Sequence, residues 1–239
     1  MQLHVAPTET DTLHQLADYF VQVAGQAIAA RGRFTVALSG GNSPKRLHEL
    51  LASSEYRNQV AWDRVLFFFG DERYVPHSDP ESNYRMARET LLTPLGIAPE
   101  QVFAIDTSLA PEEAARQYTE VLEGVFAPGA VQLDLAVLGL GDNAHTASLF
   151  PHTPVLQDQS VGAQAVFVEE KQAYRITLTA PLLNQARAVA FLVYGADKAA
   201  AVQRVLTAER DVQELPAQLI APTSGELHWF LDEASGARL

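Results

Sequence analysis

Cysteine is absent from this 239-residue chain. Its absence excludes disulfides, thiolate metal sites and a cysteine nucleophile, and it fits a reducing compartment. Positive charge is scarce. Seventeen Lys and Arg against 29 Asp and Glu leave a formal net charge of −12, which argues against non-specific binding to nucleic acid or anionic membrane. Long apolar runs are also missing; none approaches the ~20 residues needed to span a bilayer. The opening residues MQLHVAPTETD lack the basic start and apolar core of a secretory leader, so the expected location is cytoplasmic. No repeat, low-complexity tract or linker-like stretch interrupts the chain.

What is present is ordinary globular material: 47% hydrophobic and 19% charged residues, enough at this length to bury a substantial core. Val5 closes a short opening strand, and Leu13, Leu16, Phe20, Val23, Ala24 and Ile28 recur at helical spacing over about residues 11–30. Thr8 and Asp11 have capping-box spacing. Buried strands follow at Phe34–Leu38, Arg64–Phe69, Leu133–Leu138 and Ala188–Tyr194, with a short one at Val102–Ile105 and a final one at Leu227–Leu231. Helices are expected at Glu81–Leu92, Pro111–Phe126 and Ala196–Leu206. Ala165–Glu169 and Tyr174–Thr179 read as two strands joined by a polar turn. Alternation of strands and helices predicts an α/β fold: one doubly wound domain over residues 1–239, its mainly parallel sheet covered by helices on both faces.

Ligands of such sheets bind at the carboxyl ends of the strands, and three strand ends carry unusual chemistry. FTVAL runs into Ser39-Gly40-Gly41-Asn42-Ser43. Glycines ahead of a helix starting at Ser43 and Pro44 make an anion-binding turn of backbone N–H groups. The bland alternative is a tight connection needing glycines for geometry alone, and the rival is a nucleophile elbow on Ser39, for which Pro44 starts the helix too late. The Arg64–Phe69 strand ends in Gly70-Asp71-Glu72-Arg73, either solvated loop charges or a functional set. Arg73 would offer a planar donor fork to an oxyanion, and Asp71 would hold water or orient an imidazole. The Leu133 strand ends in Gly139-Leu140-Gly141-Asp142-Asn143-Ala144-His145 and is expected to enter a helical turn stopped by Pro151. His145 is a candidate catalytic base. The same glycines fit a dinucleotide G-x-G-x-x-A pattern, but Pro151 and Pro154 break the crossover helix that pattern requires. His145 and His152 match no zinc-site spacing, so no metal is expected. Arg175 and Lys198 stand at a strand and a helix start; a lysine in a first helical turn opposes the dipole unless an anion sits there.

Taken in order, Ser39–Ser43, Gly70–Pro76 with Ser82-Asn83, Gly139–Gly141 through His145–Pro151, Arg175–Thr177 with Pro181 and Asn184, and Gly195–Lys198 resemble the 6-phosphogluconolactonases. The resemblance covers nearly the whole chain. It implies cofactor-free hydrolysis of 6-phospho-glucono-1,5-lactone in the pentose phosphate pathway, on a sheet shared with glucosamine-6-phosphate deaminase and ribose-5-phosphate isomerase. The expected partner is therefore a small sugar-phosphate lactone, bound by a monomer or weak homo-oligomer. Catalysis falls to His145, Arg73 and Asp71; phosphate binding falls to Ser39, Gly40, Gly41, Asn42, Ser43, Arg175 and Lys198. One departure stands out. The family usually reads Asp-Gly where this chain has Asn143-Ala144, so Asn143 would orient His145 by a hydrogen bond while Asp142 or Asp71 supplies charge. Ala144 also disfavours a positive φ there. The deaminases resemble His-Ile-Ala-Phe-Asn-Glu-Pro after their histidine, with a working glutamate, whereas Thr146–Pro151 here contains no acid.

Overall fold

A computed structural model describes all 239 residues. Nine strands form two sheets: β1 Gln2–Ala6, β2 Phe34–Leu38, β3 Val65–Phe69, β4 Asp71–Arg73, β5 Leu135–Leu138, β6 Ala163–Val168, β7 Ala173–Leu178, β8 Ala188–Val193 and β9 Glu226–Asp232. The larger sheet has the order β1-β9-β8-β5-β2-β3, and every pairing in it is parallel. Its inner strands are buried on both faces, as FTVAL, LAVL and AVAFLV require. The helices are α1 Glu9–Arg31, α2 Asn42–Leu51, α3 Asn83–Ala87, α4 Thr93–Leu95, α5 Pro111–Phe126, α6 Ala180–Asn184 and α7 Ala199–Thr207. A single cluster of 62 buried apolar residues lies between sheet and helices. The fold is α/β and doubly wound.

Several expectations need correction. Val102 makes only an isolated bridge to Phe67, so no strand forms at Val102–Ile105. The Glu81–Leu92 helix starts instead at Asn83, capped by Ser82 Oγ, and passes into a π-turn at Arg88–Leu92. α2 begins at Asn42 with Gly41 as its cap, placing Ser43 and Pro44 inside the first turn. The stretch after His145 is a series of turns with one Thr146–Leu149 bridge, not a helical turn. The largest difference is a second, antiparallel sheet of order β4-β7-β6. Asp71–Arg73 is a strand of that sheet, not a charged loop. Its three residues are too few for alternation to reveal.

The starts of the parallel strands are held at Asp134, which is 3% exposed. Its carboxylate accepts hydrogen bonds from the Thr35 N–H (2.8 Å) and hydroxyl (2.9 Å), and pairs with Arg31 (2.8 Å) and Arg187 (3.4 Å). Removing one side of such a buried network leaves the other polar groups unsatisfied. Asp134→Ala is expected to destabilise the fold by about 3 kcal/mol, seen as a lower urea midpoint at unchanged slope. A loss below about 1 kcal/mol would show that the network is dispensable.

Candidate active site

The order of the large sheet reverses between β2 and β5: the chain leaves β2 toward β3, and leaves β5 toward β8. A crevice opens at the carboxyl ends of the strands where such a reversal occurs. Here it is a cavity of about 630 Å³. The Ser39–Ser43 turn, Asp71, Arg73, His145, Arg175 and Lys198 all line it. The tertiary structure therefore brings together the principal residues singled out in the sequence, from five separate segments. Asp142 and Asn143 are not lining residues; they contact two that are, Lys198 and His145.

Two glycine turns open the cavity floor. Gly41 caps α2 at φ 102° with no side-chain hydrogen bond, and Gly195 starts the Ala196–Lys198 turn at φ 99°. The intrahelical bonding of α2 begins with the Lys45 N–H to the Gly41 carbonyl; Pro44 has no N–H. The Asn42 and Ser43 N–H groups are therefore free for an anion. Ser39 Oγ donates to the Val137 carbonyl at 2.7 Å. Its hydroxyl thus ties β2 to β5 across the crevice, which disfavours the elbow reading.

The small sheet stands against this floor. Gly70 joins the two sheets, its N–H donating to the Leu38 carbonyl and its carbonyl accepting from the Leu178 N–H, both at 2.8 Å. Immediately beyond it, Arg73 and Arg175 are register partners across β4 and β7. Like charges placed opposite one another are unfavourable unless an anion sits between them. Burial and Arg73 together depress the Arg175 guanidinium below the usual arginine range. Arg73 also donates to the Glu81 carbonyl at 2.7 Å. Asp71 is buried; it accepts from Ser148 Oγ (2.7 Å) and Asn83 Nδ2 (3.2 Å). Glu72 accepts the N–H groups of Asn83 and Tyr84 at 2.7 and 2.8 Å, fastening α3 beneath the site.

His145 is set by three neighbours. Its ring stacks on Phe150 with centroids 4.0 Å apart. A Cβ on Gly141 would fall 2.0 Å from the imidazole, so glycine there is what admits the ring. Asn143 Oδ1 faces both the His145 N–H (3.3 Å) and Nδ1 (2.5 Å). Because that oxygen only accepts, Nδ1 carries the proton and Nε2 keeps its lone pair. Asp142 pairs instead with Lys198, and Asp71 with Ser148, so neither carboxylate bonds the imidazole. Burial, then the Lys198 and Lys171 cations, lower the His145 pKa to about 4. The ring is therefore neutral at pH 7. The Asx turn at Asn143 also needs a left-handed residue, and Ala144 adopts φ 61° despite its Cβ. This positive φ departs from the expectation for an alanine. His152 lies 2.9 Å from Glu214, and no three His, Asp or Glu side chains converge as a ligand set.

Sequence reasoning missed Lys171, which lines the cavity from the β6–β7 turn. Nothing in EEKQ marks it, since its reach depends on how the small sheet is hung.

A family profile described as glucosamine-6-phosphate isomerases/6-phosphogluconolactonase matches residues 7–229. The 6-phosphogluconolactonase of Synechocystis sp. is 45% identical over 219 residues, 90% of this chain and 88% of its own. That of Nostoc sp. is 40% identical over 242 residues, 99% of this chain and 98% of its own. The structure of 6-phosphogluconolactonase from Trypanosoma brucei superposes with a TM-score of 0.88 at 27% identity, covering 100% of this chain and 98% of that one. The chain is therefore a member of the glucosamine-6-phosphate isomerase/6-phosphogluconolactonase family.

Proposed function

We propose that the protein hydrolyses 6-phospho-D-glucono-1,5-lactone to 6-phospho-D-gluconate, a step of the oxidative pentose phosphate pathway; relatives 40–45% identical over most of the chain are named 6-phosphogluconolactonase. The observation that carries this reading is a neutral imidazole, proton on Nδ1 and lone pair on Nε2, in a crevice lined by Arg73, Arg175 and Lys198. An acidic protein gathers cations in one place when its ligand is an anion.

In this reading the sugar phosphate is held by Arg175, Lys198 and the free N–H groups at Asn42 and Ser43, within the glycine turn that starts at Ser39. His145 Nε2 takes a proton from water as the water oxygen bonds to the lactone carbonyl carbon. Arg73 and loop N–H groups stabilise the oxyanion, a role worth about 3–4 kcal/mol per donor in other hydrolases. Collapse of the tetrahedral species breaks the bond to the ring oxygen, which takes the proton back from His145. The carboxylic acid formed then ionises. Asp71, anchored by Ser148 and Asn83, fixes the floor on which Arg73 stands. The absence of an acid in Thr146–Pro151 separates this chemistry from that of the deaminases, where the resemblance implies a working glutamate.

The sign of the pH dependence follows from the His145 environment. A lowered pKa means that the base is protonated only in acid, so kcat/KM is expected to fall below about pH 4 and to stay flat through neutrality. An acid limb near 6.5 would mean that the catalytic base is some other group or an unperturbed ring. His145→Gln should lower kcat by about 10²–10⁴ while leaving the affinity for 6-phosphogluconate; wild-type turnover in that variant would remove His145 from the reaction.

Asn143 supplies a second check. Asn143→Ala frees the tautomer and is expected to cost roughly ten- to a hundredfold in kcat. Asn143→Asp places a carboxylate against Nδ1, stabilises the imidazolium and moves the acid limb of kcat/KM upward. An unmoved limb would show that Asn143 does not set the protonation state of the base.

A further inference from the structure

The β6–β7 hairpin carries its turn, Glu169–Lys171, to the edge of the cavity, and Lys171 is the residue that lines it. Among the cavity's cations Lys171 is distinguished by its surroundings. Lys198 is shared between Asp142 and Asp197, and Arg73 is engaged by the Glu81 carbonyl. Lys171 has neither a salt bridge nor a side-chain hydrogen bond, although Glu169 and Glu170 stand beside it in sequence.

The turn that presents it is braced rather than slack. Gln172 adopts φ 47°, its N–H donates to the Glu169 carbonyl at 3.1 Å, and its amide donates to the same carbonyl at 2.8 Å and to the Glu169 carboxylate at 3.2 Å. The Glu169 carboxylate is thus engaged within the turn by Gln172 rather than by the lysine. Behind the tip, Phe167 and Tyr174 face one another across the strands with ring centroids 5.1 Å apart, and Tyr74 abuts Tyr174 at 6.3 Å. The Tyr74 hydroxyl is in turn fixed to the Leu109 carbonyl at 2.8 Å. An aromatic ladder of this kind stiffens a two-stranded arm.

From this juxtaposition we propose that Lys171 is a substrate-binding residue: the hairpin holds its ammonium over the crevice to close on the phosphate of the bound sugar. The inference rests on the lactonase reading above. Lys198 is shared with two carboxylates, whereas an unpaired ammonium gives up no protein partner when a phosphate dianion arrives. Its long stem lets the charge follow the ligand while the braced backbone stays in place.

Calorimetry and kinetics on the full chain test this. Wild-type protein should bind 6-phosphogluconate more tightly than gluconate, and Lys171→Gln should weaken 6-phosphogluconate binding and raise KM for the phosphorylated lactone about tenfold. The loss should fall on KM rather than kcat, with Lys171→Arg restoring most of it. Removing this cation should also shift the acid limb of kcat/KM upward, since it acts on His145 along with Lys198 and Arg73 and against Asp142; Lys171→Arg should not shift it. Unchanged affinity for 6-phosphogluconate in Lys171→Gln would overturn the proposal, as would a loss confined to kcat. If wild-type protein binds 6-phosphogluconate through Lys171 yet hydrolyses no lactone, the lactonase reading fails while the binding role stands.

Discussion

The peptide at Gly70 belongs to both sheets. Its N–H completes the ladder between β2 and β3, and its carbonyl begins the pairing that continues into β4 and β7. The arginine wall of the site follows from that shared unit. A parallel sheet alone offers a crevice with backbone N–H groups on its floor; it does not offer walls. Hanging a three-stranded antiparallel sheet from one residue at the strand ends places Arg73, Arg175 and Lys171 above the floor at once.

Electrostatics then divides the molecule. A chain of net charge −12 would repel an anionic ligand if its charges were evenly spread. Facing Arg73 and Arg175 across a strand pair costs stability in the empty protein, and the Asp142 carboxylate tempers Lys198 beside them. In the proposed function, binding an anion would relieve repulsion that the fold itself leaves in place. Asp134, on the opposite edge of the sheet, shows the contrasting solution. There the arginines are already neutralised by a buried carboxylate, and the result is a strut.

The imidazole shows how a neutral side chain does work usually assigned to a charged one. A carboxylate against Nδ1 would strengthen His145 as a base but would also favour its protonated form. Asn143 fixes the same tautomer with no charge, and burial together with the surrounding cations holds the ring neutral well below pH 7. A lactone is already an activated ester, so a weak but always available base serves the proposed chemistry.

Much of this was legible in the chain. Buried runs such as FTVAL and AVAFLV determine strands whatever surrounds them, because both faces must be covered. Glycine pairs ahead of a helix point to open N–H groups, and the strand-end position of His145 marks it as a candidate base. Other features were settled only by tertiary contact. Asp71–Arg73 is too short to read as a strand until β7 pairs with it. Ala144 accepts a left-handed backbone that its own side chain disfavours because the Asn143 turn and burial demand it. Lys171 is an unremarkable surface residue by sequence and a cavity residue by topology. Local propensity is set by neighbours along the chain, whereas which cations line one cavity depends on how separate strands are hung together, and that is written in no single segment.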